Sequence, residues 1–141
     1  MKAVILSAGY GTRLKPLTDH IPKPLVKVLG ISIIEYTLAF MKRNGIKEVY
    51  INRHHHPNLF EDISIPPDLN VHFSHEKDIL GTLGGLMSFK EHLLDDETLV
   101  VNGDIIFNFD LKQLNHFHRS KKNVSTMVDR KSTRLNSSHR L

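Results

Sequence analysis

Two glycines two residues apart, an arginine close behind and a lysine held between prolines are parts for gripping phosphate. In this 141-residue chain they lie in Ser7-Ala8-Gly9-Tyr10-Gly11-Thr12-Arg13 and Pro22-Lys23-Pro24. Gly9 and Gly11 permit positive φ and close backbone approach, which lets successive N–H groups point at an anion. Arg13 adds a planar fork matched to two phosphate oxygens at once. The prolines on either side of Lys23 restrict the backbone and so position one ammonium. A carboxylate completes the set. Asp104 follows the apolar run Leu99-Val100-Val101-Asn102 and Gly103, where the carboxyl end of a strand can present it to Mg²⁺. Taken alone, an Asp in the place of Asp104 is more often a turn residue or helix cap, and the glycines read equally as a surface loop.

Two familiar phosphate loops do not fit. No Gly-Lys pair occurs in the segment, which excludes the Walker pattern. The third glycine of the dinucleotide fingerprint is replaced by Leu14, with Pro16 close behind.

The elements that must position these residues follow from periodicity. Lys2–Leu6 is a short apolar run expected to form a buried strand, and the proline-dense stretch from Gly9 to Gly30 forbids a continuous helix. Ser32 and Glu35 have capping-box spacing. A helix then carries Ile33, Ile34, Thr37, Leu38 and Met41 inward and stops at Gly45. Further strands are expected at Glu48–Asn52, Asp68–Ser74, Thr98–Asn102 and Val124–Val128. One helix spans Gly81–Leu94, with Leu83, Leu86, Met87, Phe89 and Leu93 packed. Another runs from Leu111 to about Arg119, capped by Asp110, with Leu111, Leu114 and Phe117 inward. Strands alternating with amphipathic helices predict an α/β fold: a Rossmann-like, mostly parallel sheet flanked by helices. Ending on a strand, the chain reads as a domain truncated at its C-terminus.

Composition narrows the rest. The chain is 40% hydrophobic and 24% charged, an ordinary globular balance, and no apolar run reaches the ~20 residues of a membrane span. There is no cysteine, which removes thiol chemistry and fits a reducing, cytoplasmic setting. The formal charge of +4 is local. The segment 130–141 holds Arg130, Lys131, Arg134 and Arg140 and no acid; with those set aside, 15 basic and 15 acidic residues remain. The body is neutral, so neither nucleic acid nor a membrane is an expected partner. Residues 130–141 read as a basic tail, disordered or foreign to the domain formed by 1–129. His54-His55-His56 reads as a polar loop, because consecutive residues cannot all face one metal.

The segment Gly9-Tyr-Gly-Thr-Arg-Leu-Lys-Pro-Leu-Thr, followed by Pro22-Lys-Pro-Leu-Val-Lys-Val-Leu-Gly, resembles the signature of the sugar-1-phosphate nucleotidylyltransferases. The likeness continues through Ile34-Glu35-Tyr36, Glu76-Lys-Asp-Ile-Leu-Gly81-Thr and Val101-Asn-Gly-Asp104. It implies transfer of a nucleotidyl group from an NTP to a sugar 1-phosphate, with Mg²⁺ and release of pyrophosphate. GTP with mannose or heptose 1-phosphate comes first, and UTP second. It further implies that Ala8, Gly9, Gly11, Thr12 and Arg13 hold the triphosphate and that Lys23 lies between the reacting phosphates. Glu76 and Gly81 would read the base, Asn102 would bond a hydroxyl, and Asp104 would hold the metal. Such enzymes are longer than this chain, and their later half supplies much of the sugar pocket. The fragment alone is therefore expected to be weakly active or inactive. A non-catalytic subunit sharing the fold is the alternative.

Overall fold

The computed structural model describes residues 1–94 and 97–128. They fall into two units, 1–108 and the segment from Phe109 onward.

In the first unit, β1 (Lys2–Leu6) leads into the proline-rich loop, which forms only single 3₁₀ turns at Thr12–Leu14, Leu17–Asp19 and Lys23–Leu25. A small hairpin follows, β2 (Lys27–Val28) pairing antiparallel with β3 (Ile31–Ser32). Then come α1 (Ile33–Arg43), β4 (Glu48–Arg53), β5 (Asn70–His75), α2 (Gly81–Met87), α3 (Lys90–Leu93) and β6 (Thr98–Asn102). β1, β4, β5 and β6 form one sheet in the order β5-β4-β1-β6, and every pairing in it is parallel.

This order explains the layers. From β1 the chain crosses one way to β4, and from β5 it crosses the other way, over β4 and β1, to β6. Right-handed crossovers therefore place α1 on one face and α2 with α3 on the other. Packing agrees, since Val4 and Tyr50 form a buried cluster with Phe89, against which Leu6, Leu86 and Leu93 also lie. Ala3, Ile5, Val49 and Ile51 alternate to the opposite face and are fully buried, as are Ile34, Leu38 and Met41 of α1. The predicted capping box is present: Ser32 and Glu35 exchange hydrogen bonds at the start of α1, and Gly45 takes φ 76° after its end.

Several details depart from the sequence reading. The hairpin turn places Leu29 at φ 53° and Gly30 at φ 85°. Those angles match the type I′ geometry of two-residue hairpins, here with a leucine where Asn or Asp is usual. The helix expected over Gly81–Leu94 breaks at Ser88, whose hydroxyl donates to the Gly85 carbonyl at 2.8 Å. This local bond competes with the helical ladder just after two glycines. Leu83 and Met87 consequently lie exposed while Phe89 turns into the core. Finally, Val124–Val128 forms no strand. Thr126 instead closes a local knot, accepting from Asn123 Nδ2 and bonding His118 Nδ1.

In the second unit, α4 (Leu111–Ser120) starts as expected at Asp110, whose carboxylate accepts from Gln113 N–H at 3.0 Å. Leu111 is buried but Phe117 is exposed. The basic stretch 130–141 lies outside the described residues. No helix among the described residues is long and apolar enough to cross a membrane.

Candidate active site

Sheets of this kind offer a crevice at the carboxyl ends of the strands, where the strand order reverses. Here the reversal falls between β1 and β6. Their ends are tied together, since Gly103 N–H donates to the Leu6 carbonyl at 2.8 Å. The approach is so close that a Cβ on Gly103 would run into Ser7 Oγ and stand 3.2 Å from the Leu6 oxygen. Gly103 is thus the residue that lets Asp104 emerge beside the loop after β1.

That loop owes its path to Gly11. It sits at φ 64° with its carbonyl accepting from Thr18 Oγ1 at 2.8 Å. A Cβ there would lie 3.0 Å from Thr18 Cγ2 and 3.2 Å from Lys23 Cβ. The fold-back carries Lys23 to the cleft. Gly9, by contrast, adopts no positive φ and has open space around it, so its lack of a side chain clears room and does not set the backbone.

The result is a cleft of about 350 Å³ lined by Ala8, Gly9, Gly11, Thr12, Arg13, Lys23, Gly81, Asn102 and Asp104, among others. Its volume is within the range of small-molecule sites. Glu76 is the one predicted site residue outside the lining. It is 4% exposed, and both carboxylate oxygens accept hydrogen bonds inside the protein, from Asn52 Nδ2 and Leu80 N–H. Asn52 was not singled out from sequence, yet it lines the cleft and is 2% exposed. The signal was available: β4 closes its apolar run on an asparagine, as β6 does at Asn102.

Charge is arranged unevenly. Lys23 Nζ donates to Asp104 Oδ2 at 2.5 Å, with both side chains partly buried. Arg13 is exposed and no ion pair among the described residues holds it. The cleft thus presents one uncompensated guanidinium and one internally neutralised ion pair. Incoming phosphate can bond Arg13 directly and can draw Lys23 away from Asp104, freeing a carboxylate.

The donors can be tested against a magnesium ion. Among the described residues no three His, Cys, Asp or Glu groups gather to hold a metal. Mg²⁺ binds readily, however, through one or two carboxylates together with substrate phosphates and water. Asp104 is one such carboxylate. Ser7 Oγ, buried in the same cleft lining, has no hydrogen-bond partner among the described residues. These donors fit a magnesium shared with a bound phosphate and not a closed protein cage.

His54, His55 and His56 each reach a different backbone carbonyl, those of Glu76, Thr18 and Asp19, at 2.8, 3.2 and 3.1 Å. The run braces the loops after β1 and β5 from a position between them.

The sequence matches the family described as nucleotidyl transferase over residues 2–138. It is 35% identical over 127 residues to mannose-1-phosphate guanylyltransferase 1 of Arabidopsis thaliana, covering 85% of this chain and 35% of that protein. It is 30% identical over 142 residues to the UTP–glucose-1-phosphate uridylyltransferase of a Synechocystis strain, covering 91% and 37%. Among solved structures, HddC from Yersinia pseudotuberculosis complexed with GMP-PN superposes with a TM-score of 0.70 at 27% identity. That match covers 83% of this chain and 53% of the other. The chain spans about a third of the length of the curated relatives it matches.

Proposed function

The chain belongs to the nucleotidyl transferase family, and on that premise we propose that it supplies the nucleotide-binding part of an enzyme that transfers a nucleotidyl group from an NTP to a sugar 1-phosphate. The observation that carries the reading is the convergence of Arg13, Lys23, Asp104 and the Gly9–Thr12 backbone on one cleft.

The chemistry asks little of side chains beyond position and charge. An oxygen of the sugar phosphate attacks the α-phosphorus of the NTP in line, and pyrophosphate leaves. No protein nucleophile takes part, so a chain without cysteine lacks nothing needed. Backbone N–H groups of Gly9–Thr12 and the guanidinium of Arg13 hold the triphosphate, and Arg13 stabilises charge on the departing pyrophosphate. Lys23, released from Asp104, offsets repulsion between the two reacting phosphates. Asp104 would hold Mg²⁺ jointly with phosphate oxygens, and the bound ion would supply charge stabilisation at the reacting phosphates. Gly81 and Asn102, both in the lining, serve the base and a sugar hydroxyl. GTP with mannose or heptose 1-phosphate is the favoured pair, supported by the guanylyltransferase likeness. UTP comes next, supported by the uridylyltransferase one. The absence of cysteine supports a cytoplasmic setting.

Titration calorimetry of the chain with GTP, UTP, CTP and ATP, with and without Mg²⁺, tests this. The expected result is nucleotide binding that Mg²⁺ strengthens, with GTP ahead of UTP. A chain that binds none of the four nucleotides overturns the proposal.

A further inference from the structure

We propose that Asn52 and Glu76 are positioning residues: a buried relay that fixes the spacing between the phosphate-holding loop after β1 and the Gly81 edge of the cleft. The inference rests on the nucleotide-binding reading above and assigns Glu76 a role other than contact with the base.

Three strands bring the parts together. In the register of the sheet Leu6 pairs with Asn52, and Asn52 pairs with Ser74. The chain therefore leaves β1, β4 and β5 side by side at the same edge. Ser7 N–H donates to Asn52 Oδ1 at 2.7 Å. Because only the oxygen of an amide accepts, this bond fixes the amide's orientation and aims Nδ2 at Glu76. Asn52 Nδ2 donates to Glu76 Oε1 at 2.7 Å, and Glu76 Oε2 accepts from Leu80 N–H at 3.0 Å. One continuous path thus joins Ser7, which opens the phosphate loop, to Leu80, which precedes Gly81.

The relay is anchored and dry. Glu76 N–H donates to the Arg53 carbonyl, and the Glu76 carbonyl accepts from His54 Nδ1, each at 2.8 Å. Ser7, Asn52 and Glu76 are each at most 4% exposed. A buried carboxylate is heavily penalised unless its oxygens are bonded, and here one oxygen meets a donor from β4 and the other a donor from the loop before α2. α2 is seated on the pair, since a Cβ on Gly85 would overlap Asn52 Nδ2 and stand 3.0 Å from Glu76 Oε1. Ser7, Asn52 and Gly81 line the cleft but Glu76 does not. Glu76 acts on the ligand through its neighbours, so its loss weakens every nucleotide alike.

The donor–acceptor order can be reversed without changing the shape of the pair or, in the double swap, its net charge. In N52D a carboxylate faces the Glu76 carboxylate. In E76Q the new amide can accept only one of its two bonds and turns a donor towards another donor. In the double swap N52D/E76Q, the amide now at position 76 donates to the carboxylate at position 52 and still accepts from Leu80 N–H. That carboxylate still accepts from Ser7 N–H, so all three links are restored. GTP and UTP are titrated with Mg²⁺ into the four proteins at a temperature where circular dichroism shows each folded. Hydrogen exchange of the Ser7 and Leu80 amides is followed in the same samples.

The expected result is a loss of about tenfold in affinity for both nucleotides in each single variant, the scale of one broken buried hydrogen bond. The Ser7 and Leu80 amides exchange faster in the singles, and the double swap recovers both affinity and protection to within about threefold. The role is overturned if the singles bind as the parent does or if the double swap recovers neither. It is also overturned if E76Q changes the GTP-to-UTP preference, which would make Glu76 a reader of the base. Should a single variant not fold, the double swap against the parent still decides. If the parent binds no nucleotide the functional reading falls, and the exchange data alone then judge the relay.

Discussion

The α1 side of the sheet and its carboxyl edge grow from the same strands, yet they treat polar groups in opposite ways. On the α1 side, the capping and buried polar groups have a partner within four residues, even where, as for Glu35 with Ser64 N–H, a distant one is added. Ser32 and Glu35 cap each other, Thr37 donates to the Ile33 carbonyl four residues back, and the space between holds Ile34, Leu38 and Met41. At the carboxyl edge, several groups that line the cleft are satisfied across long stretches of sequence or not at all. Lys23 meets Asp104 across 81 positions, Ser7 meets Asn52 across 45, Ser7 Oγ has no partner and Arg13 has no counter-ion among the described residues. Local closure makes a stable layer. Distant and incomplete closure makes a surface whose charges are free to rearrange around a ligand.

Four substitutions break or sharpen this contrast. Leu38→Ala, at a fully buried position of α1, is expected to cost about 2–5 kcal/mol of stability. Nucleotide affinity should stay unchanged while the protein remains folded, as denaturant melts paired with calorimetry will show. Arg13→Ala reverses the pattern. It should remove about 2 kcal/mol of nucleotide binding, roughly 30-fold, because charged hydrogen bonds are lost. The melting temperature should not move, since Arg13 is exposed and has no ion-pair partner in the described chain. Gly85→Ala joins the two regions. Its Cβ would collide with the Asn52–Glu76 pair, so about 1–3 kcal/mol of stability should be lost together with a measurable fall in affinity. Glu35→Gln is the smallest. The Ser32 hydroxyl bonded to Glu35 holds its carboxyl below the ordinary 4.5, so the stability it lends is fully present above that value. That stability disappears as pH falls through the lower folded value. Discounted for solvent, the effect is under about 1 kcal/mol, and melts of parent and variant should converge as pH falls through that lowered value.

How far the sequence alone reached follows the same divide. β1, α1 with its capping box, and the Asp110 cap are legible because each depends on residues within about a turn of one another. The cleft was legible as a set of parts, because Gly11, Arg13, Lys23 and Asp104 keep recognisable types and contexts. The Asn52–Glu76 relay was not, because it exists only once β4 and β5 lie side by side. One missed turn and one overlong helix have local causes. A leucine at positive φ disguises the turn at Leu29-Gly30, and the bond from Ser88 to Gly85 ends a helix whose hydrophobic period runs on through Leu93.

The hairpin between Lys27 and Ser32 also has an experimental use. Its tip, Leu29, is 94% exposed, and its first strand starts two residues after the turn that carries Lys23. Because the chain holds no cysteine, Leu29→Cys creates a single thiol in this 141-residue chain. A fluorophore attached there stands a few residues from Lys23 and outside the cleft lining, where its anisotropy and emission can test the proposed exchange of Asp104 for phosphate in real time.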